Sequence, residues 1–258
     1  MPVPFHNYSI RQNRTSQQTP LTSSPNFKQS QILLTCEHAS NQIPAPCKQL
    51  FAGHESELNS HRGWDPGTLK LGEALECKLK VPLFKTTVSR LLVEVNRSKH
   101  HPRLFSEFTR SLPEADKEKL IAQYYAPHRD AVENWIRAEI ENGKNVVHLS
   151  LHSFTPELNG EIRNAEIGLL YDPSRVNEKA FCKEWKDAFR TVAPDWRVRM
   201  NYPYAGKADG FTTYLRKQFT APKYAGIELE VNQALMEPGK IKSTIKTIVN
   251  SLTQLHPA

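Results

Sequence analysis

Short apolar runs alternate along this chain with segments whose apolar residues recur at helical spacing. The predicted strands cover residues 31–36, 81–88, 145–151, 166–171, 196–200 and 225–231. The predicted helices cover residues 65–79, 114–141, 177–192, 209–219 and 239–255. This alternation predicts a single α/β domain with a mostly parallel or mixed central sheet and helices on both faces.

The N-terminal segment differs from the rest of the chain in composition. Residues 1–30 are rich in Ser, Thr, Gln, Asn and Pro. Such a segment buries too little apolar surface to offset its ordering entropy. We therefore predict a polar, disordered tail over residues 1–30 and one domain over residues 31–258. The sequence has no apolar run of about 18 residues and no apolar signal core, so we expect a cytoplasmic protein without a membrane span.

The charge and cysteine content narrow the possible ligands. Lys and Arg number 34 against 27 Asp and Glu, which gives a net charge of +7. Because the basic residues are dispersed among acidic ones, the charge favours small anionic ligands over nucleic acid. The four cysteines form no CxxC pair, which argues against a zinc finger or a disulfide framework.

Histidines follow two predicted strands at their carboxyl ends. His38 follows the strand over residues 31–36, and His152 follows the strand over residues 145–151. Ligands of open α/β sheets bind beyond the carboxyl ends of the strands, and paired imidazoles are suitable zinc ligands. Each histidine on its own also fits a structural role. His148 has the same facing parity as His152 but lies deeper in the strand.

A catalytic zinc site commonly has three protein ligands, and the third would be a carboxylate or another histidine. The candidates are Glu37, Asp65 and Glu230. Asp65 has an alternative role, because it precedes Pro66 and can cap the helix predicted over residues 65–79. Both roles of Asp65 remain open at this point.

Residues 89–97 bring two arginines and an asparagine together around an apolar patch. Guanidinium groups form forked hydrogen bonds with carboxylates. Arg97 with Asn96 could therefore clamp an acidic substrate group, and Arg90 could polarise a carbonyl. Structural ion pairs with Glu94 are the alternative for both arginines.

Glu228 and Glu230 alternate on the last predicted strand and share one of its faces. Partial burial raises the pKa of a carboxyl group toward neutrality, which suits a general base. A solvent-facing charged strand is the alternative. Tyr204 and Lys207 are candidate pocket residues, although a turn at Gly206 also explains their segment.

Seven motifs carry a resemblance to a known family and occur in order along residues 32–236. They are Cys36-Glu-His-Ala-Ser-Asn, His61-Arg-Gly-Trp-Asp-Pro-Gly, Ser89-Arg-Leu-Leu-Val-Glu-Val-Asn-Arg, Leu151-His-Ser-Phe-Thr-Pro, Ile167-Gly-Leu-Leu-Tyr-Asp-Pro, Asn201-Tyr-Pro-Tyr-Ala-Gly-Lys-Ala-Asp-Gly and Ile227-Glu-Leu-Glu-Val-Asn-Gln. Together they resemble the N-formylglutamate amidohydrolase family, which is distantly similar to zinc carboxypeptidases and aspartoacylases. The resemblance implies a phosphorylase/hydrolase-like, zinc-carboxypeptidase-like fold.

The resemblance also implies a metal site that holds one zinc ion. His38 and His152 resemble the two imidazole ligands, and Asp65 is the preferred third ligand. Aspartoacylase-like enzymes place a Glu three residues after the first His, whereas Asn41 stands there in this chain. Glu37 is the alternative third ligand.

Further roles follow from the same resemblance. Arg90 resembles the arginine that stabilises the developing oxyanion, and Asn96 with Arg97 resembles the pair that holds a substrate carboxylate. Glu94 replaces the more usual Asp of that motif. Glu230 corresponds to the general base.

The implied activity is hydrolysis of the amide bond of an N-formyl or N-acyl amino acid by a zinc-activated water. The expected partner is a small substrate that carries a carboxylate. Two alternatives are a carboxypeptidase-like hydrolase of small peptides and a non-catalytic protein that binds a small anion or nucleic acid.

Overall fold

The computed structural model describes residues 27–255. Its strands are β1 Gln31–Cys36, β2 Leu83–Lys85, β3 Val146–Phe154, β4 Glu157–Leu158, β5 Glu161–Ile162, β6 Ile167–Leu170, β7 Val198–Met200 and β8 Tyr224–Asn232. Its helices are α1 Glu55–Asn59, α2 Thr68–Leu79, α3 Glu114–Leu120, α4 Ala126–Glu141, α5 Val176–Val192, α6 Phe211–Gln218 and α7 Ile241–Leu255.

Six of the strands form one mixed sheet in the order β2-β1-β3-β8-β6-β7. The four strands β2, β1, β3 and β8 are mutually parallel, and β6 pairs with β8 in the antiparallel direction. The remaining strands, β4 and β5, form a separate hairpin. Because β1, β3 and β8 are parallel neighbours, their carboxyl ends meet at one edge of the sheet.

Helices cover both faces of the sheet, as the alternation of strands and helices predicts. One face packs against α2, α5 and α7 through a large apolar core that includes Leu34, Leu149 and Ile227. The opposite face packs against α4 and α6 through a smaller core that includes Leu33 and Phe211. The predicted α/β fold is therefore confirmed.

Several element boundaries differ from the predicted ones for local reasons. The strand predicted over residues 81–88 spans only three residues, since β2 is an edge strand with a single partner. Helix α2 begins at Thr68 because Gly67 adopts a left-handed conformation with φ of 85°. The helix predicted over residues 114–141 contains a π-helical turn at Ile121–Tyr125, which separates α3 from α4.

The N-terminal part of the described chain packs against the core. Of the tail predicted over residues 1–30, positions 1–26 lie outside the described residues. Phe27 is buried, and its ring lies edge-on to that of Phe181 with the centroids 5.2 Å apart. Packing therefore begins four residues before β1.

A long irregular segment, residues 86–113, connects β2 to α3 and contains neither helix nor strand. Two apolar clusters fix it, one around Leu92 and Phe51 and the other around Val95 and Leu104. Compact domains seldom contain ordered irregular segments of this length, and those that occur are usually functional. Within residues 27–255, no helix is both long and apolar enough to cross a membrane.

Candidate active site

A cavity of about 310 Å³ opens at the carboxyl edge of the parallel strands. Its walls are formed by residues on or directly after β1, β3 and β8, by the segment 86–113 and by the loop before α6. Its lining includes His38, His61, Asp65, Arg90, Asn96, Arg97, Arg103, His152, Tyr204, Asp209, Glu228 and Glu230. The fold thus brings together most of the candidate residues that the sequence indicates.

Two imidazoles and one carboxylate form a buried cluster at the bottom of this cavity. Oδ2 of Asp65 lies 2.9 Å from Nδ1 of His152 and 3.1 Å from Nδ1 of His38. The ring centroids of the two histidines are 4.9 Å apart. One ligand atom from each of the three residues lies within 4.8 Å of the others.

The position of Asp65 excludes one of its two predicted roles. The helix-capping interpretation is wrong, because the residue before α2 is Gly67 and no side chain caps the helix. The Asp65 backbone carbonyl accepts a hydrogen bond from Thr68 Oγ1 at 2.7 Å, while its carboxylate faces the histidines. Asp65 therefore begins the turn that leads into α2 and at the same time contributes its charge to the cluster.

The outer nitrogens of both imidazoles are also engaged. Nε2 of His38 lies 2.6 Å from Oε1 of Glu94. Nε2 of His152 lies 2.9 Å from Oγ of Ser150, which in turn donates a hydrogen bond to Oε2 of Glu37 at 2.8 Å. Each ring is thus held from the Nε2 side, and both Nδ1 atoms face Asp65.

This arrangement places Glu37 behind the cluster. Its Oε2 lies 3.6 Å from Nε2 of His152, on the side of the ring away from Asp65. Its Oε1 has no hydrogen-bond partner among the described residues and faces Nε2 of His128 at 3.9 Å. The side chain of Glu37 is therefore set to support His152, and Asp65 is the carboxylate that faces both rings.

The buried charges shift the pKa values of the cluster strongly. Burial alone would lower the pKa of His152, but the hydrogen bond and charge of Asp65, together with Glu37, raise it to about 10. Burial and Arg90 also oppose protonation of His38, whose pKa is nevertheless raised by Glu94 and Asp65. The neighbouring carboxylates therefore stabilise the protonated form of both imidazoles.

Arg90 joins the cluster from the segment 86–113. Its Nε donates a hydrogen bond to Oε2 of Glu94 at 2.7 Å, and its NH1 lies 3.6 Å from Oδ1 of Asp65. The Ser89 hydroxyl and the Arg90 backbone N–H both bond to the Gly63 carbonyl, which fixes this part of the segment. The ion pair that sequence reasoning offered as an alternative exists, and it leaves the guanidinium on the cavity wall.

Asn96 and Arg97 also line the cavity. Nδ2 of Asn96 is 3.4 Å from Nε2 of His152, and its Oδ1 accepts a hydrogen bond from the Phe211 backbone N–H at 2.8 Å. Arg97 donates a hydrogen bond to the backbone carbonyl of Asp209. Both side chains are thereby fixed beside the cluster.

Glu230 and Glu228 project from β8 toward the same cavity. Glu230 pairs in register with His152 of β3 and is buried, and its Oε2 has no hydrogen-bond partner among the described residues. Burial, with the charges of Asp65 and Glu228, raises the pKa of Glu230 to about 7. Glu228 accepts a hydrogen bond from Thr212 Oγ1 at 2.6 Å.

The two remaining candidates differ in position. Tyr204 lines the cavity, and its hydroxyl accepts a hydrogen bond from Arg163 at 3.0 Å. Lys207 is exposed and is not part of the cavity lining. The intervening Gly206 is required by close packing, since a Cβ there would lie 2.2 Å from the Tyr171 backbone nitrogen. The turn accounts for this segment, and the structure does not bring Lys207 to the site.

Sequence reasoning missed three residues near the site. Ser150 alternates with His152 on β3, so the two-residue period places both on one face. Asp209 accepts a hydrogen bond from the Ser98 backbone N–H at 3.0 Å, and its position in the Asn201–Gly210 motif is the only sequence signal for it. Arg103 lines the cavity from the irregular segment, where no periodicity marks it.

An α/β sheet that gathers histidines and carboxylates in a cavity at its carboxyl edge defines an enzyme-like architecture. The family model of N-formylglutamate amidohydrolases matches residues 30–237, which is most of the chain. The protein therefore belongs to the N-formylglutamate amidohydrolase family and is a hydrolase of the amidohydrolase type.

Solved structures share the fold of this chain. A gene product of Agrobacterium tumefaciens is 27% identical with a TM-score of 0.73, over 88% of this chain and 91% of that chain. An N-formylglutamate amidohydrolase of Ralstonia eutropha is 17% identical with a TM-score of 0.66, over 88% of this chain and 93% of that chain, and shares its fold. No curated protein matches the sequence significantly.

Proposed function

We propose that this protein is a zinc-dependent amidohydrolase that cleaves N-formyl or N-acyl amino acids. One observation carries the proposal: two imidazoles and a carboxylate, His38, His152 and Asp65, offer ligand atoms within 4.8 Å of one another on the wall of a cavity. Two nitrogens and one oxygen are a donor set that suits zinc and leaves a further coordination position open.

The surroundings of this donor set support metal binding. Metal-ligating histidines almost always donate their second ring N–H to a carboxylate or another acceptor, which fixes the tautomer and the ring orientation. Glu94 serves His38 in this way, and Ser150 backed by Glu37 serves His152. A divalent metal bound there supplies Lewis acidity toward a carbonyl and lowers the pKa of water.

The remaining chemistry is assigned to this chain's own side chains. Glu230 takes a proton from the attacking water and returns it to the leaving amine, a role that suits a buried carboxyl group with a pKa near 7. Arg90 faces the cluster with a fixed guanidinium and stabilises negative charge that develops on the carbonyl oxygen.

Substrate orientation is assigned to Asn96 and Arg97. Asn96 and Arg97 hold the carboxylate of the amino acid, because a guanidinium and an amide N–H there face the cavity from fixed positions. Tyr204 contributes to the rim of the pocket. Fixing the substrate carboxylate places the scissile amide beside the donor set.

A substrate panel tests this proposal. Purified protein is supplied with zinc, manganese, cobalt or no metal and is incubated with N-formyl and N-acetyl derivatives of acidic, neutral and basic amino acids, and the released amine is quantified. We expect metal-dependent release from at least one carboxylate-bearing substrate. Small peptides in the same panel report carboxypeptidase-like activity, which would contradict the preferred assignment if it dominates.

Metal analysis of a matched pair of variants tests the donor set separately. We expect about one zinc ion per chain in the wild type, as in catalytic sites of this type. His38→Ala is expected to lose it, and His100→Ala, which removes an exposed imidazole outside the cavity, is expected to keep it. Stoichiometric zinc in His38→Ala would remove this histidine from the ligand set.

A further inference from the structure

A second cavity lies next to the active site along the irregular segment. Its volume is about 430 Å³, and it shares the lining residues His61, Arg90, Arg97 and Arg103 with the active-site cavity, so the two spaces are adjacent. We name this second cavity the arginine groove. It adds to an active-site cavity of about 310 Å³, which is already within the size range of about 300–1,000 Å³ that encloses small organic ligands.

The charge of the arginine groove is strongly positive. Five arginines line it, against two glutamates and no lysine, and the arginines are Arg62, Arg90, Arg97, Arg103 and Arg110. Both glutamates are already engaged, since Glu94 bonds to Arg90 and Glu107 pairs with Arg62. The acidic lining residues therefore leave positive charge uncompensated.

Two of these arginines, Arg103 and Arg110, have guanidinium groups that no hydrogen bond or ion pair within 4.0 Å engages among residues 27–255. The charge of Arg110 acts on Glu107 at longer range, since the pKa of Glu107 is lowered by the hydrogen bond from Arg62 and also by the charges of Arg62 and Arg110. Other arginines act on His61, which lines both cavities and whose pKa is lowered by burial and by the nearby Arg90, Arg163 and Arg62. Guanidinium groups left free in a concave site are suited to forked recognition of carboxylate or phosphate.

The floor of the groove favours an organic ligand over an inorganic ion. Leu91 and Phe105 contribute apolar surface between the arginines. The same irregular segment, residues 86–113, supplies Arg90, Arg97, Arg103 and Arg110. A single ordered segment therefore connects the active site to the free guanidinium groups.

We propose that the arginine groove extends the substrate site and binds an additional anionic group, a carboxylate or a phosphate, on a substrate longer than a single N-acyl amino acid. This inference rests on the proposed function for the position of the reacting amide. The amino-acid carboxylate lies near Arg97, and the chain beyond it runs over Leu91 and Phe105 toward Arg103 and Arg110. The chemical class is thus an acylated amino acid with an anionic extension.

Calorimetry with deacylated ligands tests this binding without turnover. The probes are γ-glutamyl-glutamate, γ-glutamyl-glutamine amide, whose extension has a similar size but carries no carboxylate, and γ-glutamyl-phosphoserine. We expect the wild type to bind γ-glutamyl-glutamate about tenfold more tightly than γ-glutamyl-glutamine amide, as charge-assisted hydrogen bonds allow. Tighter binding of γ-glutamyl-phosphoserine than of γ-glutamyl-glutamate would identify phosphate as the preferred group.

Matched variants locate the effect. The double variant Arg103→Gln with Arg110→Gln is expected to reduce the preference for the anionic extension to less than about threefold. In the wild type, raising the salt concentration from about 0.05 to about 0.5 M is expected to reduce the same preference, because salt screens charge interactions. Arg190→Gln removes an exposed arginine of α5 outside the groove and should leave the preference unchanged. Equal affinity of the wild type for the two extensions, or an unchanged preference in the double variant, would overturn the proposal.

The outcome is separable from that of the proposed function. Arginine-dependent binding together with a substrate panel that shows no hydrolysis would support the groove and reject the hydrolase. Hydrolysis of N-acyl amino acids without arginine-dependent binding would support the hydrolase and reject the groove.

Discussion

The Nε2 atom of His38 lies 2.6 Å from Oε1 of Glu94, on the side of the imidazole ring away from Asp65. The same carboxylate accepts a hydrogen bond from Arg90 through its other oxygen and from the Asn96 backbone N–H. One buried glutamate therefore fixes the orientation of a proposed ligand, the proposed oxyanion-stabilising arginine and the start of the proposed carboxylate clamp.

Glu94→Gln is expected to weaken zinc binding by about 10- to 100-fold, because partners on the second nitrogen of a ligating histidine contribute this much to metal affinity. Competition with a chromogenic chelator measures the affinity. Glu73→Gln is the control, since it removes the charge of an exposed carboxylate that pairs with Lys85 on the surface. An unchanged zinc affinity in Glu94→Gln would show that Glu94 does not position the metal ligand.

Glu230→Gln is expected to retain zinc and to lower the turnover number by at least about a hundredfold, as the loss of a general base would. Glu228→Gln provides a matched control on the same strand face, because Glu228 already accepts a hydrogen bond from Thr212. We expect the control to stay within about tenfold of wild type. Turnover in Glu230→Gln within a few-fold of wild type would exclude Glu230 as the base.

Arg97→Ala is expected to reduce kcat/KM for an N-acyl amino acid by about 10- to 100-fold, since hydrogen bonds to a charged group contribute about 1.5–3 kcal/mol. The corresponding amino-acid amide, which lacks the carboxylate, serves as the comparison substrate. Its kcat/KM is expected to change much less. An equal loss for both substrates would assign Arg97 a purely structural role through its bond to the Asp209 carbonyl.

The sequence predicts the framework of this molecule better than the details of its site. Apolar periodicity is sufficient for β1 and for the helices on both faces, because strand and helix patterns depend on local spacing. Apolar periodicity cannot decide the role of Asp65. Helix capping and contact with His38 and His152 both require a carboxylate at this position, so the sequence is the same for either role. The pairing of β1 with β3 brings His38 and His152 together, and the hydrogen bond from the Asp65 backbone N–H to the His38 carbonyl places Asp65 beside them.

Positions within irregular backbone are the least predictable. Glu37 and His38 are adjacent in sequence, yet Glu37 supports His152 from behind while His38 faces Asp65. Arg103 lies in the irregular segment 86–113, where apolar residues show no regular spacing, so nothing in the sequence places its side chain at the cavity. The exposure of Lys207 likewise follows from the tight turn at Gly206.

His148 is expected to make stability depend on pH below neutrality. It is fully buried between Thr35 and Tyr224, at 2.7 and 2.8 Å, and burial lowers its pKa to about 4. The unfolded chain, with a histidine pKa near 6.5, binds a proton that the folded state excludes. The contribution of His148 to the free energy of unfolding therefore falls by up to about 3 kcal/mol as the pH falls from about 6.5 to about 4.

Urea denaturation across this pH range checks the contribution of His148. His148→Gln is expected to be less stable at neutral pH but to lose stability less steeply as the pH falls. His100→Gln removes an exposed histidine and should keep the wild-type slope. Identical slopes in His148→Gln and wild type would show that another group causes the pH dependence.

Phe27→Ala is expected to lower the free energy of unfolding by about 3 kcal/mol, which is typical of removing a buried aromatic ring. Phe27 packs edge-on against Phe181 beneath α5, so its loss leaves a cavity at the margin of the large core. For a chain of this size the melting temperature should fall by about 6–12 °C.

Gln29→Ala, at an exposed position two residues away, should change the free energy of unfolding by no more than about 0.5 kcal/mol. A melting temperature in Phe27→Ala equal to that in Gln29→Ala would show that the residues before β1 contribute little to stability.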